Sequence, residues 1–180
     1  MKHSHHIETT RLILKSITPV FVHELFNSKS KEEIISYFGF EETNYDHLLD
    51  MHRGGMETNR LSMFYFLIVN KETNEPMGEC GFHTWNNAHR RAEVFYNIYK
   101  NENKQKGYMK EALSFVIDFG FTNLNLHRIQ ALIDDNNTPS LKLLQHYQFT
   151  KEGIMREDYH VNGKNEDSTC YSLLKHEWVK

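Results

Sequence analysis

Hydrophobic and polar positions alternate over Arg11 to Lys15 (RLILK), the two-residue period of a strand with one buried face, and the alternation stops at Ser16-Ile-Thr-Pro19. Thr18 followed by Pro19 supplies a cap and a first turn, which predicts a helix near Val20 to Phe26. From Lys29 to Asn59 the chain is polar with scattered aromatics (Tyr37, Phe38, Phe40, Tyr45) and no sharp period, which suggests helices and a long loop. Ser62 to Val69 (SMFYFLIV) is a continuous apolar run, Asn70 to Pro76 is rich in turn formers, and Met77 to Thr84 (MGECGFHT) follows. That pattern predicts a hairpin. Arg91 to Tyr99 (RAEVFYNIY) alternates again after Asn86-Asn87, so three antiparallel strands stand in a row.

The period then changes. Met109, Ala112, Leu113, Val116, Ile117 and Gly120 recur at helical spacing through Tyr108 to Phe121. His127 to Ile133 (HRIQALI) returns to strand alternation, Thr138-Pro139 opens a second helix through Tyr147, and Phe149 to Trp178 supplies two strands around Val161-Asn-Gly-Lys164. The order is strand, helices, three strands, helix, strand, helix, two strands. It predicts a mixed α/β (α+β) sheet of about seven strands with helices on its faces. No repeat or linker interrupts the series, so a single domain is expected over 8–180, after a flexible segment 1–7.

Composition narrows what this domain does. Its 180 residues suffice for one core and are short for two. A net charge of -3 offers no basic face for nucleic acid. Cys80 and Cys170 sit in no metal-ligand or disulfide spacing, no apolar run reaches membrane-spanning length, and Met1 to Ile7 lacks the apolar stretch of a signal peptide. These features predict a cytoplasmic protein, a monomer or homodimer, with no membrane or nucleic-acid partner. His3, His5 and His6 cluster at the terminus, where such histidines more often do nothing than hold an ion, and no metal is expected.

The segment most suggestive of chemistry is Asn103 to Leu113 (NKQKGYMKEAL), where a polar turn with Gly107 leaves a strand and opens an amphipathic helix. Such a turn aims successive backbone N–H groups and the positive helix end at a phosphate. A second segment, Asn137-Thr-Pro-Ser140 through Leu144 to Phe149, follows one helix and one strand later. Together they resemble the acetyl-CoA signature of the GNAT superfamily, Arg/Gln-x-x-Gly-x-Gly/Ala before a helix and then Asn-x-x-Ser/Ala, a helix and Gly-Phe. Glu8 to Lys15, Ala92-Glu93-Val-Phe-Tyr96, Lys106 to Ala112 and the closing strands are similar to the ribosomal-protein alanine/serine N-acetyltransferase branch.

The resemblance implies the GNAT fold, a mostly antiparallel sheet, and transfer of acetyl from acetyl-CoA to an amine by direct attack, without an acyl-enzyme on either cysteine. The implied cofactor contacts are Ile98, Tyr99, Gln105, Lys106, Gly107, Tyr108, Met109, Lys110, Asn137, Ser140 and Leu144. Lys104 and Met109 depart from the signature, Gln148 stands where the family has glycine, and Leu144 takes the place of a tyrosine acid. Ser140 is the substitute acid that the resemblance suggests. Glu93 is the first candidate for the base, with Glu157, Asp158 and His83 as alternatives. The implied acceptor is a protein N-terminus; a polyamine or an aminoglycoside is the alternative, and a sensor that binds acyl-CoA without turnover is a further one. The acceptor pocket is expected from Leu25 to Asn59 and the late strands, with the four aromatics as walls and Glu41, Glu42 and Asp46 drawing a cation.

Overall fold

The computed structural model describes residues 5–56 and 62–179. Among them are eight strands, β1 (His6–Glu8), β2 (Leu12–Ile17), β3 (Ser62–Asn70), β4 (Pro76–Asn86), β5 (Arg91–Ile98), β6 (Arg128–Ile133), β7 (Thr150–Val161) and β8 (Lys164–Leu174). Five helices accompany them, α1 (Pro19–Ser28), α2 (Lys31–Phe38), α3 (Glu42–Arg53), α4 (Tyr108–Thr122) and α5 (Thr138–His146). The strands form one sheet in the order β1-β2-β3-β4-β5-β6-β8-β7. All neighbours are antiparallel except β5 and β6.

The first strand is an addition to the expected seven. His6 and Ile7 lay in the segment expected to be flexible, yet they pair with Lys15 and Leu14 of β2. The His5 N–H donates to Ser16 Oγ (2.9 Å), and its ring packs on Phe64 and Phe119. A three-residue strand is too short to carry a period, so hydrophobic alternation could not announce it. His3 lies outside the described residues.

The unbroken apolar run of β3 is explained by two buried faces. Phe64, Phe66 and Ile68 face a core shared with α4 and α5, while Tyr65, Leu67 and Val69 face a second core under α1, α2 and α3. Thr18 caps α1 as expected, its hydroxyl accepting from the Phe21 N–H (3.2 Å) with Pro19 in the first turn. In α2 a capping box joins Ser30 and Glu33, and Gly39 closes the helix in the left-handed conformation. Helix α5 is capped one residue earlier than expected, by Asn137, whose side chain accepts the Ser140 N–H (3.2 Å).

Gln148, the family's glycine position, has φ 59. A left-handed residue suits glycine and costs another L-residue about 1–2 kcal/mol, part of which the floppier unfolded glycine chain cancels. Gln148→Gly is therefore expected to raise stability by about 0.5–1 kcal/mol in denaturant titration.

Candidate active site

The parallel rungs between β5 and β6 are Arg91 with Arg128, Ala92 with Ile129, and Glu93 with Gln130. Beyond the last rung the strands part: Val94 to Ile98 remain paired only with β4, and Ala131 to Ile133 only with β8. A wedge opens in the middle of the sheet, with Glu93 and Gln130 at its vertex. The Tyr99 N–H donates to the Met77 carbonyl of β4 (3.0 Å), and backbone groups alternate direction along a strand. By that alternation Ile98 and Tyr96 turn their N–H and C=O groups toward the wedge. Of the two expected backbone contacts here, Ile98 faces the opening, whereas the Tyr99 N–H is committed to β4.

In the turn between the end of β5 and α4, Gln105 (φ 61) and Gly107 (φ 77) are both left-handed. Gly107 is the helix N-cap and brings no side chain, so the first-turn N–H groups of Tyr108, Met109 and Lys110 have no cap acceptor. Alternating left-handed residues ahead of an uncapped helix make a concave set of N–H donors, suited to an anion. Lys104, Gln105, Lys106 and Lys110 are exposed around it. The departures at Lys104 and Met109 leave this main-chain arrangement intact.

A half-buried carboxylate holds the turn in place. Glu111 accepts from the Thr9 hydroxyl (2.5 Å), the Arg11 N–H (2.8 Å) and Arg11 Nε (2.6 Å). Arg11 also donates to the Lys106 carbonyl (3.1 Å) and covers the Tyr108 ring at 4.5 Å. Burial alone would raise the Glu111 pKa, but the bonds from Thr9 and Arg11 outweigh it and hold the carboxyl below its usual range. Glu152 is held lower, at about 2, chiefly by Arg128, whose two nitrogens donate to it (2.5 and 2.6 Å), and then by Ser172. Depressed native values mean that the stabilisation is present above the unfolded carboxylate value of about 4.3 and is lost as pH falls toward the native values. Glu152 is 41% exposed, so solvent screening leaves it the smaller share. Glu111→Ala is expected to cost about 2–3 kcal/mol at pH 7 and to flatten the acid limb of the melting-temperature profile.

The two faces of the wedge differ. On the α1–α3 face, Glu93 Oε1 lies 3.5 Å from His83 Nε2, and its Oε2 accepts from Gln130 Nε2 (3.3 Å). His83 in turn lines a cavity of about 420 Å³ with Phe40, Asn44, His47, Leu48, Met51, Met63, Tyr65, Glu79 and Phe95. Burial raises the Glu79 carboxyl above its usual range, partly opposed by a hydrogen bond from the Tyr99 hydroxyl (3.3 Å). Of the four expected aromatic walls only Phe40 lines this cavity. Phe38 is sealed in the core, Tyr37 belongs to a separate groove with Phe21 and Leu25, and Tyr45 packs on Phe26. Its acid is Glu79, in place of the expected Glu41, Glu42 and Asp46, none of which lines it.

On the α4–α5 face, Leu144 is wholly buried and offers no proton. Because Asn137 supplies the cap of α5, the Ser140 hydroxyl is spared that task. Glu157 and Asp158 lie on β7, three strands from β5 or about 14 Å at ordinary spacing, bound to Asp167 and Ser168 neighbours: the Glu157 N–H donates to Asp167, and Asp158 accepts from the Ser168 hydroxyl. That leaves Glu93 and His83 as the vertex candidates. Burial pushes the Cys80 thiol far up and raises that of Cys170, the opposite of an activated nucleophile. No group of three or more potential metal ligands occurs among the described residues, and no helix there is long and apolar enough to cross a membrane.

The sequence assigns no role to Glu79, which sits in the second strand of the expected hairpin, and shows Tyr96 only as the end of the Ala92–Tyr96 motif; the tertiary wedge gives both a chemical setting.

Comparison with known proteins shows the family of the chain and the likeness of its fold. Residues 11–150 match the family described as Acetyltransferase (GNAT) domain, and the chain belongs to that family. It is 33% identical over 179 residues to the uncharacterized N-acetyltransferase YoaA of Bacillus subtilis, covering 94% of this chain and 96% of that protein. It is 43% identical over 114 residues to the uncharacterized N-acetyltransferase p20 of Bacillus licheniformis, a match spanning 63% of this chain and 64% of that protein. A spermidine N(1)-acetyltransferase of Vibrio cholerae is 27% identical over 161 residues, 88% of each chain. The structure of the ribosomal-protein-S5-alanine acetyltransferase from Vibrio fischeri superposes with a TM-score of 0.67 at 21% identity, covering 98% of this chain and 100% of that one, a likeness of fold. Acetyl-CoA is the co-substrate of GNAT acetyltransferases, and this chain is a GNAT-family N-acetyltransferase.

Proposed function

We propose that the chain transfers acetyl from acetyl-CoA to a primary amine by direct attack at the vertex of the wedge. The observation that carries this reading is the parting of β5 from β6 beyond Glu93 and Gln130, on the strand whose end leads into the anion-ready turn at Gly107. The pyrophosphate lies on the N–H groups from Gln105 to Lys110, with Asn137 and Ser140 of α5 beside the pantetheine arm. The arm pairs with the β5 edge at Ile98. A deep-set Leu144 contributes packing to this side rather than a contact. The amine arrives from the opposite face, through the cavity that holds Glu79. Glu93 takes the proton that the attacking nitrogen sheds, and His83 steadies it.

The acceptor we propose is the α-amine of a protein N-terminus beginning with a small residue, supported by the opening and closing segments similar to the ribosomal-protein branch. A second reading, a polyamine, is favoured by one observation: a single half-buried carboxylate, Glu79, in an aromatic-lined cavity suits a slender alkylammonium. CoA release with peptides beginning Ala or Ser, spermidine and aminoglycosides at matched concentration separates the two. The first reading expects the peptides to be fastest; small amines faster by about an order of magnitude would replace it while leaving the acetyltransferase reading in place.

A further inference from the structure

Two buried side-chain polar atoms among the described residues have no hydrogen-bond partner, Trp85 Nε1 and Tyr96 Oη. Buried polar groups are nearly always satisfied, so an orphan at a reaction centre points to a partner that arrives with the substrate. Tyr96 lies on β5 beyond the vertex, in the stretch that has lost β6 as a neighbour. Its side chain packs against the α4–α5 core, opposite Glu93. Ser140 is the one side chain whose hydroxyl acts on the Tyr96 phenol, and it belongs to α5, the helix after β6. No hydrogen bond of normal geometry joins the two, yet the interaction sets the start of α5 beside the Tyr96 phenol.

We propose, resting on the acetyl-transfer reading above, that Tyr96 is a catalytic residue that donates its hydroxyl proton to the departing thiolate, with Ser140 as the relay that restores it. The amine nitrogen attacks the thioester carbonyl from the Glu93 face, forming the C–N bond. The C–S bond then breaks and its electron pair goes to sulfur, on the Tyr96 face. Sulfur takes the phenolic proton, giving free CoA thiol. A proton passes from water through the Ser140 hydroxyl to the phenol oxygen, so no buried phenolate persists. The proton shed by nitrogen leaves through Glu93, and the overall exchange is one amine and one thioester for one amide and one thiol. Burial raises the Tyr96 pKa, partly opposed by Ser140, which keeps the donor protonated at neutral pH. Separating acid and base onto opposite faces also prevents them from neutralising each other.

The Tyr96→Phe variant tests this cleanly, because it removes an oxygen that makes no hydrogen bond of normal geometry in the free protein. Its melting temperature should be unchanged or higher, since deleting an unsatisfied buried hydroxyl relieves a desolvation penalty. Its kcat should fall about 100-fold, while KM for acetyl-CoA stays within about twofold. Ser140→Ala should fall less, and adding it to Tyr96→Phe should change kcat little further, as expected for one relay. A stable Tyr96→Phe protein with kcat within about threefold of native would overturn the role of Tyr96, and fully multiplicative losses in the double variant would overturn the relay. Native chain that releases no CoA with any amine of the panel would remove the acetyl-transfer reading itself, and this assignment with it.

Discussion

Glu93→Gln is expected to lower kcat about 100- to 1000-fold near neutral pH while leaving acetyl-CoA affinity intact. The reason is geometric. Glu93 stands on the last rung before β5 and β6 part, on the face that carries the cavity, and His83 and Gln130 fix both of its oxygens. Glutamine preserves the shape and the Gln130 contact can re-form, so folding should be little affected, but the amide cannot accept the amine's proton. The defect should shrink as pH rises through the pKa of the acceptor, because the amine then arrives already neutral and the one proton it sheds on attack can pass to water or hydroxide. For an α-amine that recovery begins near pH 8, and for an alkylamine only near pH 10. The pH at which the variant recovers therefore reports the acceptor class as well as the role of Glu93. A variant with native kcat across that range would assign the base elsewhere, with Glu79 the next carboxylate in reach of the cavity.

Gly107→Val is expected to weaken acetyl-CoA binding about 100-fold in calorimetry, the loss of two charge-assisted N–H bonds at about 1.5 kcal/mol each. A clash inside the protein is not the cause. A Cβ at Gly107 would meet nothing closer than Arg11 Nη2 at 3.7 Å, an ordinary contact. The cause is φ 77, a conformation that a β-branched residue resists, so that the turn re-forms with its N–H groups misdirected. Asparagine tolerates this region, and Gly107→Asn should retain most of the affinity. Unchanged affinity in a folded Gly107→Val protein would take the pyrophosphate away from this turn.

What could be read from the chain follows from where its information is local. Alternation over Arg11 to Lys15 and Arg91 to Tyr99, the helical spacing from Tyr108 and the Thr18-Pro19 cap each involve neighbours in sequence, and each produced its element. Helix α2 also carried a local signal, Ser30 three residues before Glu33, which forms the capping box; scattered aromatics around it obscured the period. Gly107 was legible because a left-handed N-cap before a helix selects glycine locally. Gln148 was not, since a family-wide glycine position had been filled by a residue that bears the strain.

The wedge itself is a long-range property. Nothing in Val94 to Ile98 or in Ala131 to Ile133 says that these strands, paired at Glu93 and Gln130, will separate at the next residue. For the same reason nothing local marks Glu79, Tyr96 stands in the sequence only as the end of the Ala92–Tyr96 motif, and the four aromatics expected to wall the pocket are distributed by the fold over four places.

A crystal structure of this chain with coenzyme A bound tests the central claim most directly. The account predicts the pyrophosphate on the N–H groups between Gln105 and Lys110, the pantetheine arm between β5 and β6 alongside Ile98, and the sulfur within hydrogen-bond reach of Tyr96 Oη. Coenzyme A seated outside the wedge, with β5 and β6 closed into a continuous ladder beyond Glu93 and Gln130, would contradict it.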